Sequence, residues 1–246
     1  MVLVDFNGLA IGSIMGQLSR GEELSENLVK HIIINNLRVY RNKYKEADYG
    51  KMVIACDSYS WRKDVFPEYK AARKANRATD KHDWPMIFDL IEDTLNDLRE
   101  NFPYAVIKID SAEADDIIGA LTVHKSTPLI GEDVVIISAD KDFIQLQQYG
   151  HVIQWSPMFN KMVKEDNPRR YLFEHLLKGD SGDGVPNANS HDDVFTTGSR
   201  QTPMTQKQID KYWDNHDDLE MIMKPNVFRN FMRNVQMIDL TNTPDG

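Results

Sequence analysis

Four short runs of consecutive apolar, largely β-branched residues stand out along the chain: Val2-Leu3-Val4, Met52 to Cys56, Ala105 to Ile109 and Val134 to Ile137. Runs this short, without a polar residue at every second position, read as strands buried on both faces. Helical patterns lie between them. Ser25, followed by Asn27-Leu28-Val29, opens one that runs to about Lys45. Asp83 opens another that runs to about Arg99, with Pro85 near its first turn and Ile87, Leu90, Ile91, Thr94, Leu95 and Leu98 on one face. Strand and helix in alternation predict an α/β fold with a doubly wound, mainly parallel sheet. The chain beyond Lys178 is polar and loop-rich, then helical from about Thr205.

Each predicted strand is followed by acid. Asp5 ends the first and Asp57 the second; Asp110, Glu113, Asp115 and Asp116 follow the third, and Asp140 and Asp142 the fourth. In a parallel sheet these positions share the carboxyl-terminal edge, where open α/β folds place their ligands. A single Asp after a strand is most often a turn or helix cap, and Asp110, just before Ser111, is assigned that role at the start of the next helix. Recurrence after all four strands points to more than capping. Carboxylates brought this close repel one another and hold their protons unless cations bind them. An all-carboxylate set without thiolate suits hard divalent ions, Mg²⁺ or Mn²⁺, and two such ions can drive phosphodiester cleavage.

The formal charge of −9 is unusual for a protein that handles nucleic acid. The nine carboxylates assigned below to the metal site and its support account for it formally, so the remainder of the chain is neutral and a nucleic-acid partner is not excluded. The single cysteine, Cys56, rules out an internal disulfide framework and fits a reducing cytosol. The seven histidines form no zinc-type spacing. No apolar run reaches the roughly 20 residues of a membrane span, and the amino terminus has no signal-peptide pattern. The expected location is the cytoplasm.

One segment runs against the acidic total. From Trp61 to Lys81, Arg62, Lys63, Lys70, Arg73, Lys74, Arg77 and Lys81 face only Asp64, Glu68 and Asp80, with Trp61, Phe66 and Tyr69 interleaved. Such a run is usually a solvated helix face. Lys70, Arg73, Lys74 and Arg77 recur at three- or four-residue spacing, which would place them on one helical face. With no continuous apolar face, the segment is expected to be poorly ordered until phosphates neutralise it.

Five motifs occur in the order and with spacing similar to that of flap endonucleases and 5′-3′ exonucleases. They are Val4-Asp5-Phe6-Asn7-Gly8, Cys56-Asp57, Glu113-Ala114-Asp115-Asp116, the run from Ser138 to Leu146, and the run from Gly179 to Pro186. The stretch Val152 to Met158 resembles the T-even phage ribonuclease H members of that family. The resemblance spans Val2 to about Pro244. It implies a PIN-like catalytic domain over residues 1–178 with a helical arch at about 60–82, and a helical subdomain with a helix-three-turn-helix motif over 179–246. Asp5, Asp57, Glu113, Asp115 and Asp140 would surround a first metal ion; Asp142, Asp180 and Asp183 would hold or orient a second; Asp116 would support the first set and the helix start. Tyr69-Lys70-Ala71-Ala72-Arg73 resembles the Y-K-x-x-R motif of the arch, so Lys70 and Arg73 would stabilise charge on the attacked phosphate and Tyr69 would stack on a base. Arg62, Lys63, Lys74, Arg77 and, in the later loop, Arg200 would contact nucleic acid.

The sequence departs from the family where Gly184 replaces the usual Asn, and where Asn187 to Pro203 forms a longer loop in place of a GxxGIG turn, as in the phage type. That departure speaks against the potassium ion some members bind here. Phage relatives continue past the end of this chain, so a shortened chain lacking a carboxyl-terminal partner-binding tail is expected. The implied activity is that of a monomeric, structure-dependent 5′-nuclease using two Mg²⁺, with Mn²⁺ as substitute, on branched or nicked DNA and RNA–DNA hybrids in primer removal. A single-stranded-DNA-binding protein or sliding clamp would be its replication partner, in the host cytoplasm if the gene is phage-borne. A PIN-type ribonuclease would share the carboxylate edge but normally lacks the basic arch and the GDxxDxxP segment. A non-catalytic junction-binding protein would be expected to have lost at least one metal carboxylate, and none is lost.

Overall fold

The computed structural model describes residues 1–127 and 130–243, and for residues 74, 75, 76 and 78 the backbone only. Its elements begin β1 (Val2–Asp5), α1 (Phe6–Leu18), α2 (Glu26–Lys43), α3 (Glu46–Tyr49) and β2 (Met52–Cys56). Next come α4 (Arg62–Val65), α5 (Ala71–Ala78), α6 (Trp84–Asn101), β3 (Ala105–Lys108), α7 (Ala114–Lys125) and β4 (Val134–Ile137). The remainder is β5 (Val152–Ser156), β6 (Lys161–Val163), α8 (Pro168–Lys178), α9 (Gln206–Trp213), α10 (Leu219–Ile222) and α11 (Pro225–Ile238).

The chain forms two compact units, one of residues 1–59 and 82–164, the other of 60–81 and 165–246. The basic segment therefore belongs to the same unit as the carboxyl-terminal helices, and the division falls after Lys164. The sequence had suggested a boundary after Lys178, with the arch in the catalytic domain.

In the first unit six strands pair in the order β3-β2-β1-β4-β5-β6. All pairings are parallel except β5 with β6. Two of these strands, β5 and β6, lie outside the four apolar runs: Gln154 and Ser156 interrupt β5, and the three-residue β6 begins with Lys161. Val2 and Val4 point into a core shared with Ile14 of α1, Val29, Ile33 and Leu37 of α2, and Ile87, Ile91, Leu95 and Leu98 of α6. α7 packs against β1, β2 and β4. The expected caps form: Ser25 accepts from the Leu28 amide at 3.3 Å and Asp83 from the Met86 amide at 3.0 Å. Asp110 does not cap α7. It sits in a turn with Ser111 at a φ of 64°, and Glu113 is the cap residue.

The second unit is helical. Phe173, Leu176 and Leu177 of α8, Ile209 and Tyr212 of α9, and Val227 and Phe231 of α11 build its core, joined by Phe66 and Tyr69. Its long loop is held by buried amides on α11. Asn230 donates to the carbonyls of Ala188 and Ser190 at 3.0 and 2.8 Å, and Asn234 to those of Leu176 and Pro186 at 2.7 and 3.0 Å.

Candidate active site

The order of strands reverses between β1 and β4, the place where an open α/β sheet leaves a crevice at its carboxyl edge. Asp5 ends β1 at that point and is 8% exposed. Its Oδ1 accepts from the Gly8 amide at 2.9 Å, capping α1, and its Oδ2 accepts from the Ser138 hydroxyl at 2.8 Å. A Cβ on Gly8 would lie 2.3 Å from Asp5 Oδ2, so only glycine lets the helix start so close to the carboxylate. Ser138 Oγ in turn accepts from the Asp140 amide at 3.1 Å.

Asp57 follows β2. Its amide donates to Asn7 Oδ1 at 3.1 Å, and its Oδ1 accepts from the Ala114 amide at 2.9 Å. The carboxylate of β2 and the acidic start of α7 are thereby locked together. Glu113 and Asp116 form a capping box, in which Asp116 Oδ2 accepts from the Glu113 amide at 2.9 Å. Asp115 occupies the first turn of the same helix. Asp142 donates its amide to Asp140 Oδ1 at 2.9 Å. Gln154, reaching from β5, donates to the Asp140 carbonyl at 2.6 Å and to that of Ser138 at 3.2 Å. Asn7, Ser138 and Gln154 shape the site although none was singled out as a site residue; all three lie inside motifs already visible in the sequence, but only their contacts reveal the role.

Burial pushes the Asp5 carboxyl up to about 6, with the charge of Asp57 and, more weakly, that of Asp140 adding to it against the Gly8 and Ser138 hydrogen bonds. An Asp5 carboxyl whose proton affinity is raised by burial and by the charges of Asp57 and Asp140, in a donor set of oxygen alone, fits a hard divalent cation. The Cys56 thiol one residue before Asp57 is pushed up to about 12 by burial, which removes it as a nucleophile or thiolate ligand at neutral pH.

In the second unit, Asp180 and Val185 form a bridge that folds the loop back on itself. Asp180 Oδ1 accepts from the amides of Gly182 and Asp183 at 2.7 and 3.1 Å. His175 Nε2 lies 3.6 Å from Asp180 Oδ2. The His175 contact, with the Asp183 amide, holds the Asp180 carboxyl below its usual range despite burial. Asp183 receives the basic segment: the Lys70 ammonium lies 3.4 Å from Oδ2 and the Arg73 guanidinium pairs with Oδ1.

The basic segment differs from expectation in three respects. α5 begins at Ala71, and Lys70 precedes it at a φ of 55°, so Lys70 does not share the helical face; its amide is drawn instead to the Asp183 carbonyl at 2.7 Å. Arg62 is 2% exposed and its Nε donates to the Met237 carbonyl at 2.8 Å, which makes it an anchor between α4 and α11 rather than a surface contact. Tyr69 is 4% exposed, buried with Phe66, so the first half of the segment is packed. Lys63, Arg73 and Arg200 are exposed and Arg77 half-buried; the Lys74 side chain lies outside the described residues.

Residues 2–172 match the family model for the 5′-3′ exonuclease amino-terminal, resolvase-like domain. The chain is 30% identical over 251 aligned residues to ribonuclease H of Enterobacteria phage T4, covering 99% of this chain and 82% of that one. This chain belongs to the 5′-3′ exonuclease and flap endonuclease family. It is also 32% identical over 153 residues to the flap endonuclease Xni of Shewanella pealeana, covering 58% of this chain and 55% of that protein. The phage T5 flap endonuclease, solved with DNA and metal ions, shares the fold: the TM-score is 0.66 over 97% of this chain and 88% of that one, at 18% identity. Another phage T5 structure carries divalent zinc. Among the described residues no helix is long and apolar enough to cross a membrane.

Proposed function

We propose that the protein is a magnesium-dependent, structure-specific 5′-nuclease that removes RNA primers and trims 5′ flaps during DNA replication. The observation that carries this reading is the buried Asp5 carboxylate at the switch point of the sheet, with the charges of Asp57 and Asp140 acting on it. Asp5, Asp57, Glu113, Asp115 and Asp140 would hold one ion, and Asp180 and Asp183 a further one. Divalent ions held by these carboxylates would supply a water of lowered pKa and neutralisation of charge on the departing oxygen. The chain's own part is to fix the carboxylates through Gly8, Asn7, Ser138 and Gln154, and to offer Lys70 and Arg73 to the substrate phosphate.

A 5′-labelled flap and an RNA–DNA hybrid, each assayed with Mg²⁺ and with excess chelator, test the reading. Cleavage confined to the Mg²⁺ reactions, and lost by several orders of magnitude in Asp115→Asn and Asp140→Asn while flap binding persists, is the expected result. Robust cleavage in chelator, or near-full activity of either variant, would overturn it.

A further inference from the structure

Among the described residues of the basic segment, Tyr69, Lys70 and Arg73 contact the Asp183 carboxylate, and they differ in one physical respect. Lys70 and Arg73 are long, flexible side chains that a phosphate can draw away. Tyr69 is not: its ring is buried beside Phe66 in the core of the second unit, and its hydroxyl donates to Asp183 Oδ2 at 2.9 Å. A carboxylate turns freely about its last torsion, and a donor fixed to one oxygen orients the other. The backbone reinforces the arrangement. Gly184, at a φ of 75°, would with a Cβ approach the Glu68 carbonyl to 2.7 Å. Glycine at this place therefore lets the loop close onto the segment just before Tyr69. Lys70 is held in its left-handed conformation by the Asp183 carbonyl.

We infer that Tyr69 is a positioning residue that orients Asp183 for a metal ion, rather than a platform on which a base stacks. The inference rests on the proposed role of Asp183 in holding an ion. Partners one step removed from a metal are typically worth about 10–100-fold in its affinity.

Tyr69→Phe separates the alternatives, because it keeps the ring, its burial and any stacking while removing the hydroxyl. Mn²⁺ binding to the full chain, without nucleic acid, is followed by calorimetry in the wild type, Tyr69→Phe and Asp183→Asn. Asp183→Asn is expected to abolish one binding event, and Tyr69→Phe to weaken that same event about 10–100-fold. Flap affinity of Tyr69→Phe in Ca²⁺ is expected to stay within about twofold of wild type, and its cleavage rate to recover as Mg²⁺ is raised. Unchanged Mn²⁺ affinity in Tyr69→Phe, with a loss in Asp183→Asn, would overturn the inference alone. Unchanged binding in Asp183→Asn would overturn both it and the metal assignment of Asp183. A fall in flap affinity without a change in Mn²⁺ binding would assign Tyr69 to the substrate instead.

Discussion

Arg73 and Asp183 are paired side chain to side chain, with the Arg73 Nε also donating to the Gly182 carbonyl at 3.3 Å. A cation proposed for the phosphate thus pairs with a carboxylate proposed for a metal.

Removing a cation from this group should affect chemistry more than association. Lys70→Ala and Arg73→Ala are each expected to lower the single-turnover cleavage rate about a hundredfold, the worth of one donor to a developing charge. Duplex affinity should fall far less, because phosphate contacts are spread over the surface. Equal losses in rate and in binding constant would show that these side chains only hold the substrate.

The Asp5 environment has a consequence for stability. Its carboxyl is raised to about 6 in the fold, above the ordinary value near 4. Such a group adds full stability below about pH 4 and loses it as the pH rises through about 6, so at pH 7 the ionised Asp5 opposes folding. A shift of about two units corresponds to on the order of 2–3 kcal/mol. Asp5→Asn should therefore raise the melting temperature of the metal-free protein at pH 7 and abolish activity. Added Mg²⁺ should stabilise the wild type more than the variant. A variant that melts lower than wild type at pH 7 without metal would contradict this account.

Arg62 and Lys63 are neighbours in sequence but should behave as opposites. Arg62→Ala leaves the buried Met237 carbonyl without its donor, at a cost of about 1–3 kcal/mol, together with lost packing of the side-chain stem. The expected result is a lower urea midpoint with an unchanged salt dependence of flap binding. Lys63→Ala, on the exposed side of α4, should leave stability alone and reduce the salt slope by about one. A change of salt slope in folded Arg62→Ala would restore Arg62 to the surface.

Gly184→Ala combines a left-handed backbone with the close approach to Glu68. Denaturation should show a loss of roughly 1–3 kcal/mol, and the carboxylate–phenol contact at Asp183 should loosen with it. A neutral substitution would mean that the loop can retreat from the segment at no cost.

The runs of Val, Ile and Leu were enough to find β1, β2 and β4, since strands covered on both faces must be apolar throughout, and β3, although it lies at the sheet edge and is only partly buried, carries the same run. They were enough, too, to put acids on one sheet edge, because parallel strands all end on the same side. Ser25 and Asp83 marked their helices because a side-chain cap is a local interaction. α1 carries no such local signal: Gly8, Gly12 and Gly16 weaken its helical propensity, and Gly8 is required by the carboxylate of Asp5 rather than by the helix.

What the sequence determined by itself was the alternation of elements, the acidic edge and the basic character of residues 61–81, all properties of short stretches. Tertiary structure decided which charges serve the site. Arg62 and Arg73 look alike in a charge count, but one is buried against a carbonyl of α11 and the other pairs with Asp183. Tyr69, Asn230 and Asn234 acquired their partners only when segments far apart in the chain packed together. A buried polar group must find a hydrogen bond, and which bond it finds depends on neighbours that no local pattern encodes.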